Sequence, residues 1–288
     1  MHNRRTFLKY SAVIGAGVLT MPSCMGSTSQ ATGIQLYTLR DEMGSDPKGT
    51  LKKIADIGYK EVESAGYGGR KYYGFSASEF KKILDDTGLN MVSGHYMTGR
   101  INGDQQGSLS NGWEQAVEDA ATAGQKYMVV AYLVDEERKS LDDYKSLTDL
   151  LNKCGETCKK SGIQLCYHNH DFEFKSFDGT EGYDVLLNDT DEDLLKMELD
   201  LFWATKADKD PVKLFEAHKG RFPLWHVKDM DADGNFAAVG TGSIDFKRIF
   251  DAAGASGMKH YFVEQDVIKG DHIQTITTSY KNVQKIIS

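Results

Sequence analysis

The feature that most constrains this chain is an alternation, sustained from residue 33 to the C-terminus, between short β-rich runs and longer amphipathic segments. Eight runs read as strands: residues 33–40, 59–66, 89–96, 126–133, 163–170, 195–202, 222–229 and 260–266. Between them apolar residues recur at three- and four-residue spacings, as Leu51, Ile54, Ala55 and Ile57 do after Asp46-Pro47. Ser76 followed by Glu79 reads as a capping box, and Gly58, Gly88, Gly124, Gly162 and Gly257 fall where helices should stop. Strand, helix, glycine, strand is the rhythm of repeated βαβ units. Eight units in about 255 residues match the size of a single (β/α)₈ barrel, typically about 250 residues. A doubly wound open sheet is the competing arrangement. It would announce itself with a Gly-rich phosphate turn, whereas the first run continues into Tyr37-Thr38-Leu39-Arg40-Asp41.

Residues 1–24 have the layout of an export signal: Arg4-Arg5-Thr6-Phe7-Leu8-Lys9 resembles a twin-arginine motif, and an apolar run from Tyr10 to Met21 follows it. That run is shorter than the roughly 20 apolar residues of a membrane span. Cys24 stands where a lipidated first residue would anchor a mature lipoprotein, although Met21-Pro22-Ser23 departs from a small-residue lipobox. Residues 25–32 read as a flexible tether, and residues 33–288 as one α/β domain. The expected location is therefore periplasmic, free or membrane-tethered. The formal net charge of −8 becomes −11 when Arg4, Arg5 and Lys9 are discounted, which opposes phosphate backbones and excludes nucleic acid as a natural partner. Cys154, Cys158 and Cys166 lack zinc-finger spacing and read as buried thiols.

Catalytic groups of such a barrel sit at the C-terminal ends of its strands. His168 and His170 end strand five, Asp200 ends strand six, His226 and Lys228 end strand seven, and Glu264 and Asp266 end strand eight. The steps from His168 to Asp200 to His226 to Glu264 are 32, 26 and 38 residues, each about one βα unit. Residues two apart on a strand share a face, so if these four point into the barrel mouth, Leu199, Leu201, Val227 and Val263 point to the helices. Two imidazoles and two carboxylates suit one divalent ion such as Mn²⁺, Zn²⁺, Co²⁺ or Fe²⁺, with Mg²⁺ less favoured by histidine. Gln35, Glu63 and His95 near the ends of strands one to three are candidates for contact with substrate hydroxyls. Trp203 and Trp225 offer apolar faces to a sugar ring or to the core. Val239-Gly240-Thr241-Gly242 reads as a tight loop rather than a phosphate site.

The stretches IQLYTLRD, YHNHDFEF, LDLFWAT, HVKD, VGTGSIDF and FVEQD, in this order and spacing, resemble the xylose-isomerase-like TIM-barrel superfamily over almost all of residues 33–288. That superfamily includes sugar isomerases and epimerases, dehydratases and an endonuclease branch. The resemblance implies a metal held by a Glu of strand five, an Asp of strand six, a His of strand seven and a Glu of strand eight. Asp200, His226 and Glu264 match in type; strand five departs, with His168 where relatives carry Glu and Glu173 as the alternative ligand.

The implied activity is that of a metal-dependent sugar isomerase or epimerase, which removes a proton α to a carbonyl and passes through a metal-stabilised enediolate. Family epimerases use carboxylates of strands five and eight on opposite faces of the substrate. Without the strand-five carboxylate, one base is still enough for a lyase or hydrolase acting on a 3-keto-glycoside. Glu264 or a neighbour is the candidate base, His170 or Glu173 the candidate acid for the departing oxygen, and Lys228 the cation that steadies developing charge. A small carbohydrate is the expected partner in either case. A non-catalytic periplasmic carbohydrate-binding protein is the remaining alternative.

Overall fold

A computed structural model describes residues 30–101 and 103–288, of which Ala31–Ser288 form one compact unit. The export signal, Cys24 and all but the last residues of the tether lie outside the described residues. Eight parallel strands close into a barrel: β1 (Gly33–Gln35), β2 (Glu61–Ser64), β3 (Asn90–Tyr96), β4 (Tyr127–Val130), β5 (Gln164–His168), β6 (Leu195–Asp200), β7 (Leu224–Val227) and β8 (His260–Val263). Each strand pairs with its neighbours in sequence, and β1 closes the ring against β8. Helices follow every strand. Among the described residues, no helix is long and apolar enough to cross a membrane.

Local chemistry sets the boundaries. Pro47 opens the helix Pro47–Ile57 with Asp46 accepting from Gly49 N, and Ser76 and Glu79 form the reciprocal capping box of Ala77–Thr87. The strands are shorter than the sequence runs. Strand one was expected over residues 33–40 but stops at Gln35, because the Gln35 side chain accepts from Tyr37 N and turns the chain into the 3₁₀ helix Leu36–Leu39. Strand six likewise stops at Asp200, whose carboxylate accepts from Trp203 N at 2.9 Å and starts the helix Leu201–Lys206.

The alternation holds where strands remain regular. Leu199, Val227 and Val263 face the helix layer, while Val92, Val129, Cys166, Leu224 and Phe262 form a separate apolar plug inside the barrel. Burial of each plug side chain contributes roughly 1.5–3 kcal/mol. The plug fills the lower interior, so the residues one step further along each strand, His168, His226 and Glu264, stand directly above it. One strand breaks the rule: between the pairs Val62–Met91 and Glu63–Ser93, β3 carries one more residue than β2. This bulge puts both Val92 and His95 inside, although they lie three apart.

The loop after β7 is fastened by one side chain. The buried carboxylate of Asp229 accepts from the backbone N–H of Met230, Gly240 and Gly242 at 2.8 Å and of Ile244 at 3.3 Å. A Cβ on Gly242 would lie 2.3 Å from Met230 O, so the loop closes only with glycine there. Its N–H groups are spent on Asp229 rather than on a bound phosphate. Asp229→Ala removes the shared acceptor of four part-buried N–H groups; it is expected to lower unfolding stability by about 1–3 kcal/mol in urea titrations. A loss under about 0.5 kcal/mol, the range of an ordinary surface change, would contradict this role.

Candidate active site

The C-terminal mouth of the barrel holds a cavity of about 460 Å³. His168, Asp200, His226 and Glu264, from four consecutive strands or the residue just past them, offer donor atoms that all lie within 4.8 Å of one another. All four side chains are buried. Each imidazole turns one nitrogen toward this cluster and ties the other elsewhere. His168 Nδ1 donates to Ala131 O at 3.2 Å, which leaves Nε2 facing Asp200 Oδ2 at the same distance. His226 Nε2 bonds Glu63 Oε1 at 2.7 Å, which leaves Nδ1 beside Glu264 Oε2 at 2.8 Å and Asp200 Oδ2 at 3.8 Å. Pinning the outer nitrogen to an acceptor fixes the tautomer and frees a lone pair inward, as in histidines that bind metals. His226 Nδ1 is buried and makes no hydrogen bond of regular geometry, although Glu264 Oε2 lies close to it. The donor set and the inward His226 Nδ1 fit a divalent cation.

Beneath the cluster, Glu63, His95, Glu198 and His226 form a second group. His95 Nε2 lies 2.8 Å from Glu198 Oε2 and 3.1 Å from Glu63 Oε1, and Glu198 Oε2 is 3.2 Å from His226 Nε2. Gln35 Nε2 donates to Glu63 Oε1 at 2.7 Å. Burial opposes the His95 charge, but Glu63 and Glu198 overcome it and lift its pKa to about 9. Burial and the Glu63 charge push Glu198 up to about 7.

On the far side, Lys228 is fully enclosed, its ammonium 2.8 Å from Glu264 Oε2, 2.8 Å from Asp266 Oδ1 and 3.0 Å from Asp200 Oδ2. Burial alone would lower its pKa; Asp200, Asp266 and Glu264 raise it well above the ordinary lysine value. Across the mouth, His170 stacks on Phe172 at 5.2 Å and meets the Tyr132 ring edge-on at 5.0 Å. Burial, reinforced by His168 and Lys228, holds it well below the usual histidine pKa, and its Nδ1 has no protein hydrogen-bond partner.

The sequence-named residues thus divide. His95, His168, His170, Lys228 and Glu264 line the cavity, as does Asp266. Gln35 and Glu63 are buried below His95 and His226 and form no part of the wall, because β1 and β2 end one level deeper than expected. Trp203 sits behind Lys228, its ring 5.8 Å from the ammonium, and Trp225 is a core residue stacked on Phe215.

Glu173, the alternative strand-five ligand, belongs to neither donor cluster. The short helix Phe172–Phe174 turns it outward, where it accepts from Tyr167 Oη and from His170 N, both at 2.8 Å. Glu198 is the group sequence reasoning passed over. It lies two residues before Asp200 on the same face, so strand period alone marks it as interior.

A family profile described as "Xylose isomerase-like TIM barrel" matches residues 51–269. The chain belongs to the xylose isomerase-like TIM-barrel family. Among solved structures, a sugar phosphate isomerase/epimerase from Parabacteroides distasonis superposes with a TM-score of 0.77 at 28% identity, covering 91% of this chain and 97% of that one. The IolI protein with a bound zinc atom superposes at 0.72 over 90% and 98% of the two chains; at 16% identity it shares the fold. Inosose dehydratase of Clostridium beijerinckii is 28% identical over 127 residues, 38% of this chain and 42% of its own length. The matched stretches span about half the length of such curated relatives. These neighbours include isomerases, epimerases and dehydratases, and the family fold is common to all of them.

Glu173 is also a measurable feature of the outward-facing side. Burial raises its pKa to about 8, against the pull of the Tyr167 and His170 hydrogen bonds. The folded state therefore keeps a proton that the unfolded chain gives up above an ordinary glutamate pKa of about 4.3. Stability is fullest below that value and declines as pH rises toward 8. Glu173→Gln removes this linkage, so its melting temperature should gain on the parent progressively between about pH 5 and 8. A difference independent of pH would contradict the assignment.

Proposed function

We propose that this barrel is a metal-dependent lyase that removes a proton α to the carbonyl of a keto-sugar and expels an oxygen substituent from the β-carbon. The observation that carries the reading is the outward turn of Glu173. It leaves the strand-five side of the mouth with imidazoles alone, while the carboxylates of the cavity wall, Glu264 and Asp266, both follow β8. A pair of matched carboxylates on opposite substrate faces, as two-base epimerisation by carboxylates requires, is missing from that wall. The dehydratase names among the curated relatives support elimination, and the isomerase/epimerase name of the structural neighbour supports α-proton abstraction. A second reading, epimerisation, keeps His170 as one of the two bases.

His168, Asp200, His226 and Glu264 would hold the metal, and the zinc bound by the IolI protein supports a metal in a barrel of this fold. A divalent ion there acts as a Lewis acid on the substrate carbonyl. His170, kept neutral and with Nδ1 unpartnered, is the group suited to accept the α-proton, which reverses the acid role read from the sequence. As that C–H bond breaks, its electron pair forms the carbon–carbon double bond and the β C–O bond cleaves. The Lys228–Asp266 pair hydrogen-bonds the departing oxygen and supplies its proton. Burial raises the Asp266 pKa to about 6, against the pull of Lys228. Among the described residues lining the cavity, Lys228 is the only lysine or arginine, and three carboxylates already surround it. The cavity lining thus offers a phosphoryl dianion no lysine or arginine free of carboxylates, which favours an unphosphorylated substrate.

The test is incubation of metal-loaded protein with ketoses and 3-keto-glycosides in D₂O. Release of water or an aglycone is expected. Deuterium gained at carbon with the skeleton intact would instead mean epimerisation or isomerisation, and full activity after chelation would overturn the metal role. His168→Ala should lose the bound ion, measured by elemental analysis. His170→Ala should keep the ion and lose roughly 10²–10⁴-fold in kcat.

A further inference from the structure

The cavity is chemically two-sided. Its floor is polar, formed by His95, His168, Lys228, Glu264 and Asp266, whereas its outer wall presents Tyr37, Tyr67, Met97 and Tyr132. A volume of about 460 Å³ is within the range that encloses drug-sized ligands, and a single sugar ring seated on the polar floor leaves the outer half unfilled. The apolar wall is built rather than incidental. Tyr67 is held by its hydroxyl donating to Asp119 Oδ2 at 2.8 Å and by packing against Tyr72 and Tyr96. Gly107 closes over it so tightly that a Cβ there would lie 2.4 Å from the Tyr67 ring.

Tyr37 is 44% exposed at the rim, with the Arg40 guanidinium 4.6 Å above its ring. Arg40 also donates to Tyr37 O and Asp266 O, which ties the loop after β1 to the loop after β8. Tyr37, on the 3₁₀ helix that follows β1, is one of the large exposed hydrophobics among the described residues and lines this cavity.

We infer that the outer half of the cavity is an aglycone subsite, so that the substrate is a glycoside whose sugar sits on the polar floor and whose uncharged, flat apolar substituent packs against Tyr37, Tyr67 and Met97. This rests on the carbohydrate reading of the floor. It goes beyond that reading in excluding a free monosaccharide as the best ligand. Aromatic walls recognise such a substituent by area and by offset or edge-on ring contacts, and a preformed wall adds affinity at little ordering cost.

Binding to the full, metal-loaded chain separates the two ideas, because unoxidised glucosides report affinity without reaction. Isothermal titration should show phenyl β-D-glucopyranoside binding at least 10-fold tighter than methyl β-D-glucopyranoside. Tyr37→Ala and Met97→Ala should each pull that ratio toward one, and Tyr37→Phe should preserve it because the ring forms the wall. Equal affinities, a ratio untouched by both alanine variants, phenol alone binding as tightly as the phenyl glucoside, or no binding of either glucoside at millimolar concentration would each overturn the subsite. If the preference for phenyl holds and the deuterium experiment shows no elimination, the lyase reading fails and the subsite stands.

Discussion

His226 approaches four carboxylates. Its Nε2 lies against Glu63 and Glu198, and its Nδ1 lies toward Asp200 and Glu264, so one imidazole joins the buried acidic layer of the barrel to the candidate metal cluster above it. Burying isolated carboxylates is prohibitively unfavourable, and burying them in pairs is tolerable only with every charge matched. His95 Nε2 stands between Glu63 and Glu198, and Lys228 together with a divalent cation on the cluster would answer Asp200, Glu264 and Asp266. The plug of Val92, Val129, Cys166, Leu224 and Phe262 supports these groups from below and keeps water from solvating them from the other end. The rest of the molecule, from helix caps to the Asp229-fastened loop, holds eight strand ends in the register that this charge arrangement demands.

Most of the architecture could be read from the chain because a repeated βα unit writes the same pattern many times. Eight apolar runs, glycines at helix ends and a capping box at Ser76 all point one way, and such agreement across levels is what specifies a fold. The depth of each strand end was not legible. Gln35 and Asp200 end their strands by capping the next turn with their own side chains, an event that depends on geometry rather than on apolar period. His95 reaches the interior through a bulge, which no parity argument from Val92 could foresee. Glu173 follows a regular strand into a turn of 3₁₀ helix, where period two no longer applies, and its direction followed from that turn.

At the end of β5, where the sequence resemblance implied a glutamate, this chain carries a histidine. A histidine at position 168 keeps a donor in the cluster but removes a carboxylate from that side of the mouth. Active sites of (β/α)₈ barrels are assembled from strand ends and loops on a common scaffold, so chemistry can shift by exchange of one such residue while the barrel stays the same. Shared fold with isomerases, epimerases and dehydratases is therefore compatible with any of their reactions. On the reading proposed above, the side chains at positions 168, 170, 228 and 266 would decide among them.

The three thiols of the described structure occupy two distinct layers. Cys166 belongs to the plug inside the barrel, while Cys154 and Cys158 lie under the long helix Leu141–Lys160, and all are buried. Burial raises Cys154 to about 12, Cys158 higher still and Cys166 well above the ordinary thiol value, so none presents a reactive thiolate in the native state. The chain thereby carries two internal clocks for its own opening. Alkylation at 154 and 158 times the lifting of one helix from the sheet, and alkylation at 166 times the parting of the strands themselves.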